Sequence, residues 1–468
     1  MESQVRIERY ADQGRCVGHI DGRVVFVRFA LPGELVRIAL DEPHERTDRF
    51  WTGEVIEVIE PSEFRVTPAW ELAGPLSQGG GVGGADLVHV SLPGQLAWKS
   101  DIINEQMERL GHVHTDVQVR RMPEDERLGG LHWRTRIEMI ADEDGHPSMR
   151  RRGTHHRVAL DTMPLATESV LRIAEETHFW DGGFAPGAQL RIAIPQSLPQ
   201  SMTQSLPQST EAVGSESVET PCAPSDAAQT APGNDAIADG SAEVPAVQGE
   251  AAGFDDYAVM VDGELTAGEY LLKESVSIDG STWNYRVNAD GFWQIHREAP
   301  TALASHVLHA AQHALNGADS ACIWDLYSGA GLFTLPLATS TSKRTSMLSI
   351  EGSKPAVINA RRNLRSLDLA RVDARIGDVG AVLGNVPSHL SHPDVVVLDP
   401  PRAGARKKVC ERIAAANPKA IVYVACDPTS LARDTATLSA SGYGLRELSA
   451  YDLYPMTHHV ESVAIFTK

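Results

Sequence analysis

Cysteine is scarce in this chain. Five occur in 468 residues, Cys16, Cys222, Cys322, Cys410 and Cys426, and no two are close neighbours. That spacing suggests neither a CxxC metal site nor a disulfide framework, so a reducing compartment is expected. Long apolar runs are missing too: no uninterrupted stretch reaches about 18 residues, the length a membrane helix needs, and no charged-then-apolar leader stands at the start. The expectation is a soluble, cytoplasmic protein without a membrane span. Positive charge is also short, 42 Lys and Arg against 62 Asp and Glu, for a net −20. A basic field over the whole molecule is thereby excluded, and phosphate binding must use local clusters such as RRMPEDER, MRRRGTHHR and RAGARKK. Half of the acidic excess sits in residues 195–256, which hold ten acidic residues and no Lys or Arg.

What is present divides the chain into regions. Residues 1–66 carry short alternating apolar runs broken by Gly and Pro, the pattern of a small β-barrel. Residues 67–194 are mixed α+β, with apolar residues at helical spacing in QLAWKSDIINEQMERL. Residues 195–252 repeat PQS and are rich in Pro, Ser and Gln, a composition that predicts a disordered acidic insertion. Order is expected to return over 253–297, as the second part of the central region. From 298 to 468 strands such as ACIWDLY, DVVVLDPP and AIVYVACDP alternate with amphipathic helices. That rhythm predicts an α/β domain whose mainly parallel sheet is covered on both faces, with ligands beyond the carboxyl ends of its strands.

Several strands end on groups suited to chemistry. VYVACDPTSLARD stops its apolar run at Cys426; alone, such a cysteine behaves as a small hydrophobe. Its neighbours change that. DLYSGAGLF places Gly329 and Gly331 at a turn where backbone can approach a ligand. Glu351 ends the next strand twenty positions after Gly331, about where an acidic residue meets a ribose hydroxyl. Thr334 stands where a dinucleotide fingerprint has its third glycine, which favours S-adenosylmethionine over a dinucleotide. LDPPRAG aims Asp399 at the cleft from a stiff turn. HHVES puts Glu461 near the start of the last strand. If the final hairpin runs antiparallel to its neighbours, Glu461 is expected on the edge opposite Cys426 unless the strand order brings it back.

Together DLYSGAGLFTLPLA, EGSKPAVINARRN, VVLDPPRAG, VYVACDPTSLARD and DLYPMTHHVESVAIF resemble, in order, the bacterial RNA 5-methyluridine methyltransferase family. DGRVVFVRFALPGELVRI resembles the TRAM barrel that some members carry, and GFWQIH the stretch whose Gln contacts the cofactor. The resemblance implies a Rossmann-like class I methyltransferase sheet after a TRAM/OB-like barrel and a mixed central domain. It implies Cys426 as nucleophile and Glu461 as base. It implies that Gln294, Tyr327, Gly329, Gly331, Glu351 and Asp399 hold S-adenosylmethionine, with Asp378 toward the adenine. The partner would be RNA, ribosomal (23S) in preference to transfer RNA; no metal and no obligate protein partner are implied, and a monomer is expected. The rival is an RNA-binding protein that kept the fold and lost catalysis. Two departures stand out. Ala425 and Asp427 flank the nucleophile where relatives have Ser and Asn, and a second carboxylate there either raises the thiol pKa or points away. Relatives with an iron–sulfur cluster use four cysteines; here Trp70, Ala85 and Met163 stand near those positions, and no cysteine lies between residues 17 and 221. No cluster is expected.

Overall fold

A computed structural model describes residues 1–42, 45, 48–196, 256–342, 344–365 and 371–468. The predicted insertion lies almost entirely outside the described residues. The N-terminal strands are β1 (Glu2–Ala11), β2 (Arg15–Ile20), β3 (Arg23–Arg28), β4 (Leu35–Leu40) and β5 (Trp51–Glu60). They close into a barrel in the order β1-β2-β3-β5-β4. Alternation explains the closure: Val5, Ile7, Val25, Val27, Val36 and Ile38 are buried inside while their sequence neighbours face outward. Gly18 permits the tight crossing, since a Cβ there would lie 2.4 Å from Val5 Cγ1.

Next come β6 (Val119–Arg121), β7 (Arg136–Ala141), β8 (Pro147–Arg150), β9 (Arg157–Ala159), β10 (Gln189–Ala193), β11 (Ala258–Val261) and β12 (Glu264–Gly268). All but β6 form one sheet, β12-β11-β10-β7-β8-β9, so residues before and after the insertion share a ladder. β13 (Leu271–Ile278) and β14 (Ser281–Asn288) make a hairpin. Trp70, Ala85 and Met163 are buried in one apolar core with the barrel interior.

The C-terminal strands are β15 (Cys322–Leu326), β16 (Ser346–Glu351), β17 (Val372–Ile376), β18 (Val395–Leu398), β19 (Ala420–Ala425), β20 (Gly444–Asp452) and β21 (Glu461–Thr467). Their sheet runs β17-β16-β15-β18-β19-β21-β20-β6. The first five are parallel, and β21 is antiparallel to both neighbours. Both faces are covered: Val395 and Val397 join one apolar layer, Val396 and Leu398 the other. One partner in the second layer comes from far upstream. The helix Leu92–Arg109 sends Ile103 and Met107 into it, and β6 extends the sheet beside β20.

Candidate active site

The sheet order brings the strand ends together. A cavity of about 850 Å³ opens at the carboxyl ends of the parallel strands, lined by Gln294, Tyr327, Gly329, Glu351, Asp378, Asp399, Cys426 and Glu461. Gly331 is not on its wall; a φ of +94° shows that its part is to make the turn behind it. The expectation that an antiparallel last hairpin separates Glu461 from Cys426 is corrected by strand polarity. An antiparallel strand begins at the edge where its parallel neighbour ends, and Ala425 pairs directly with Ser462. Glu461 therefore starts β21 beside the thiol that follows β19.

Glu351 is fixed by two backbone donors, the Gly329 N–H to Oε2 at 3.0 Å and the Ser353 N–H to Oε1 at 2.6 Å. Asp378 caps the short helix after β17, accepting from the Ala381 N–H at 2.7 Å. Gln294 is 5% exposed, and its backbone carbonyl accepts from the Gln196 side chain at 3.0 Å. The acids crowd one another. Burial, then Asp325 and Glu351, pushes the Asp399 carboxyl up to about 7. Burial and Asp399 push Glu461 well above the usual carboxyl range, against a hydrogen bond from the Tyr454 hydroxyl at 3.4 Å. The Cys426 thiol is pushed up to about 12 by burial, then by Glu461 and Asp399; Arg402 opposes this, and Asp427 adds less. Asp427 does not line the cavity. It is the N-cap of the helix Pro428–Ala440, accepting from the Ser430 N–H at 2.7 Å, a task Asn performs equally well.

Other wall residues were not singled out in the sequence, although Phe292 and His458 lie inside motifs that were. Asp86 arrives from a Gly-rich loop and accepts from His458 at 2.6 Å; Trp133, Arg134 and Phe292 come from connections between strands. His459 and Arg402, 3.1 Å apart, lie inside motifs already noted. Of the basic runs, RRMPEDER is largely spent internally: Arg121 is bound by Asp452 and Arg127 by Glu124. RAGARKK keeps Arg402 on the cavity wall and Arg406 exposed.

Fold and site define a class I methyltransferase built on a Rossmann-like sheet, joined to a TRAM-type barrel. Residues 263–376 and 388–468 match the tRNA (uracil-5-)-methyltransferase family model, and residues 2–49 match the TRAM domain. An uncharacterized RNA methyltransferase of Bifidobacterium longum is 60% identical over all of this chain and 97% of its own length. One from Streptomyces avermitilis is 32% identical over 99% of this chain and 98% of its own. The fold is shared with Pyrococcus abyssi tRNA (uracil-54, C5)-methyltransferase in complex with S-adenosyl-L-homocysteine, at a TM-score of 0.62, 19% identity and full coverage of both chains. The chain belongs to the RNA uracil-5 methyltransferase family, S-adenosylmethionine-dependent enzymes. Among the described residues no helix is long and apolar enough to cross a membrane.

Proposed function

We propose that this enzyme methylates carbon 5 of a uridine in RNA through a covalent bond between Cys426 and carbon 6, with Glu461 as base. The observation that carries this reading is the register of β19 against β21, which sets the thiol and the carboxylate on one cavity wall. Uracil carbon 5 is a poor nucleophile. Cys426 gives up its proton to solvent and the thiolate adds to carbon 6; the C5=C6 electron pair moves toward the carbon 4 carbonyl, and the resulting enolate attacks the methyl group through carbon 5. Glu461 then takes the hydrogen from carbon 5. That C–H electron pair becomes the C5=C6 double bond, and the C6–S bond breaks to return the thiolate. Glu461 must be ionised to act; once it is, its raised pKa makes the carboxylate a stronger base for this step.

The crowded acids fit a cationic cofactor: burial and mutual repulsion disfavour the ionised forms of Asp399 and Glu461, and a sulfonium beside them would favour those forms. Bound S-adenosylmethionine supplies an electrophilic methyl group. Gln294, Tyr327, Gly329, Glu351, Asp378 and Asp399 hold it, with Glu351 toward the ribose hydroxyls and Asp378 toward the adenine. The target uridine enters flipped from its stack, past Arg134, Phe292 and Arg402. The enzyme acts as a monomer in the cytoplasm, on ribosomal RNA (23S) in preference to transfer RNA. Nucleoside mass spectrometry of both RNAs, from cells lacking the gene and complemented with wild type or Cys426→Ala, tests this. Loss of one 5-methyluridine from ribosomal RNA, restored by wild type alone, is expected. Loss from transfer RNA overturns the choice of substrate, and persistence of every 5-methyluridine overturns the activity.

A further inference from the structure

The loop that delivers Glu461 is held from outside its own domain. Lys99 and Gln95 lie one turn apart on the helix Leu92–Arg109, and both are buried. The Lys99 ammonium donates to Asp452 Oδ1 at 2.5 Å and to the Tyr454 carbonyl at 3.0 Å. Gln95 Oε1 accepts from the Met456 N–H at 2.9 Å, while its amide nitrogen is fixed on the Val90 carbonyl at 2.9 Å. The Met456 carbonyl in turn accepts from the Leu87 N–H at 2.9 Å. Met456 has a φ of +65°, a conformation a Met side chain disfavours, so the loop is clamped in a strained shape. Tyr454 is the link to chemistry, because its hydroxyl donates to Glu461 Oε2.

Burying a lysine is costly unless its contacts repay it, and this one spends its donors on the segment Asp452–Tyr454. We propose that Lys99 and Gln95 are positioning residues for the deprotonation step, fixing Tyr454 and Met456 and through them the carboxylate of Glu461. This rests on Glu461 being the base. It goes beyond that assignment by placing control of one step on a helix that touches neither cofactor nor uracil.

The steps can be read apart. With 5-fluorouridine RNA, carbon 5 bears no hydrogen, so the covalent adduct forms and stays whatever the state of the base. With ordinary RNA, a misplaced base slows release only, and the methylated adduct accumulates. The test uses full-length Lys99→Met, in which Asp452 Oδ2 keeps both hydrogen bonds from Arg121. Gln95→Leu serves as a second variant should the first fail to fold. Expected are wild-type rates of adduct formation with 5-fluorouridine RNA and an unchanged KM for S-adenosylmethionine. Turnover on ordinary RNA should fall roughly tenfold to a hundredfold, with covalent protein–RNA adduct appearing on denaturing gels. Tyr454→Phe should show the same accumulation, and the Lys99→Met/Tyr454→Phe pair should lose less than the product of the two effects. Equal slowing of both steps, or multiplicative losses, overturns the proposal. No adduct from the wild type with 5-fluorouridine RNA overturns the thiol mechanism instead.

Discussion

At Cys426 burial and two carboxylates keep the ligand-free thiol protonated at neutral pH. Below a pKa of about 12 the thiolate fraction grows about tenfold per pH unit. Alkylation of the Cys426 peptide by iodoacetamide, followed by mass spectrometry, should climb by that factor per unit from pH 7 to 10. A plateau near pH 8 would mean that the thiol is far less shielded. Asp427 contributes little to this, because its carboxylate is committed to the helix it begins. Asp427→Asn should leave stability within about 0.5 kcal/mol, whereas Asp427→Ala should cost about 1 kcal/mol in urea unfolding. Asp325 runs the opposite way from a paired acid. Burial lifts its carboxyl from 3.8 to about 7, the Thr334 hydroxyl only partly opposing, and Oδ1 has no partner. Between those values the folded state holds a proton that the unfolded chain releases, so folding loses stability as pH rises through that window. Asp325→Asn should therefore raise the melting temperature of the ligand-free protein at pH 8, by at most about 4 kcal/mol in free energy. At pH 5, where the native carboxyl is already neutral, the gain should be much smaller. Equal gains at both pH values would rule out this account.

Elements were legible in the sequence where their signal is local. AIVYVA is buried along its whole length as a covered parallel strand must be, and QLAWKSDIINEQMERL is the helix its spacing predicts. The strand ends named most of the cavity wall for the same reason, since a motif at a strand end needs only its own neighbourhood to be read. Which sheet an element joins is not local information. β6 is three residues, Val-Arg-Arg, with no strand pattern, and Arg121 makes its closest ion pair with Asp452, 331 positions away. Asp86 likewise meets His458 across 372 positions. This dependence has a consequence for dissection. A fragment of residues 253–468 would expose the β20 edge and leave the buried Asp452 carboxylate without Lys99 or Arg121. Loss of these pairs, and of the apolar cover that Ile103 and Met107 give the sheet, removes a large share of a domain's stability. The fragment should melt without a cooperative transition by near-ultraviolet circular dichroism, and a sharp transition like that of the full chain would refute this.

On the scale of the whole molecule, an excess of negative charge sits on an enzyme whose substrate is a polyanion. Much of the excess is separable. β10 and β11 pair as neighbours, Ala193 opposite Ala258, so the chain leaves and re-enters the same ladder side by side. A short connection can therefore stand in for the long one. Gln196 must stay, because its N–H donates to Glu274 at 2.9 Å and its amide holds the Gln294 and His296 carbonyls. Replacing residues 198–254 by about six Gly and Ser residues keeps these bonds. It removes eight acidic residues and no Lys or Arg. The melting temperature and affinity for S-adenosylmethionine should match the full chain within error. RNA affinity should rise at low salt, because repulsion of the phosphate backbone is reduced, and the gain should fade in ~0.5 M NaCl as the charges are screened. If RNA methylation falls while folding and cofactor binding hold, the removed residues contribute to RNA binding or to the reaction itself. Their charge would then be a recognition feature and not a load that the basic clusters around Arg402 have to overcome.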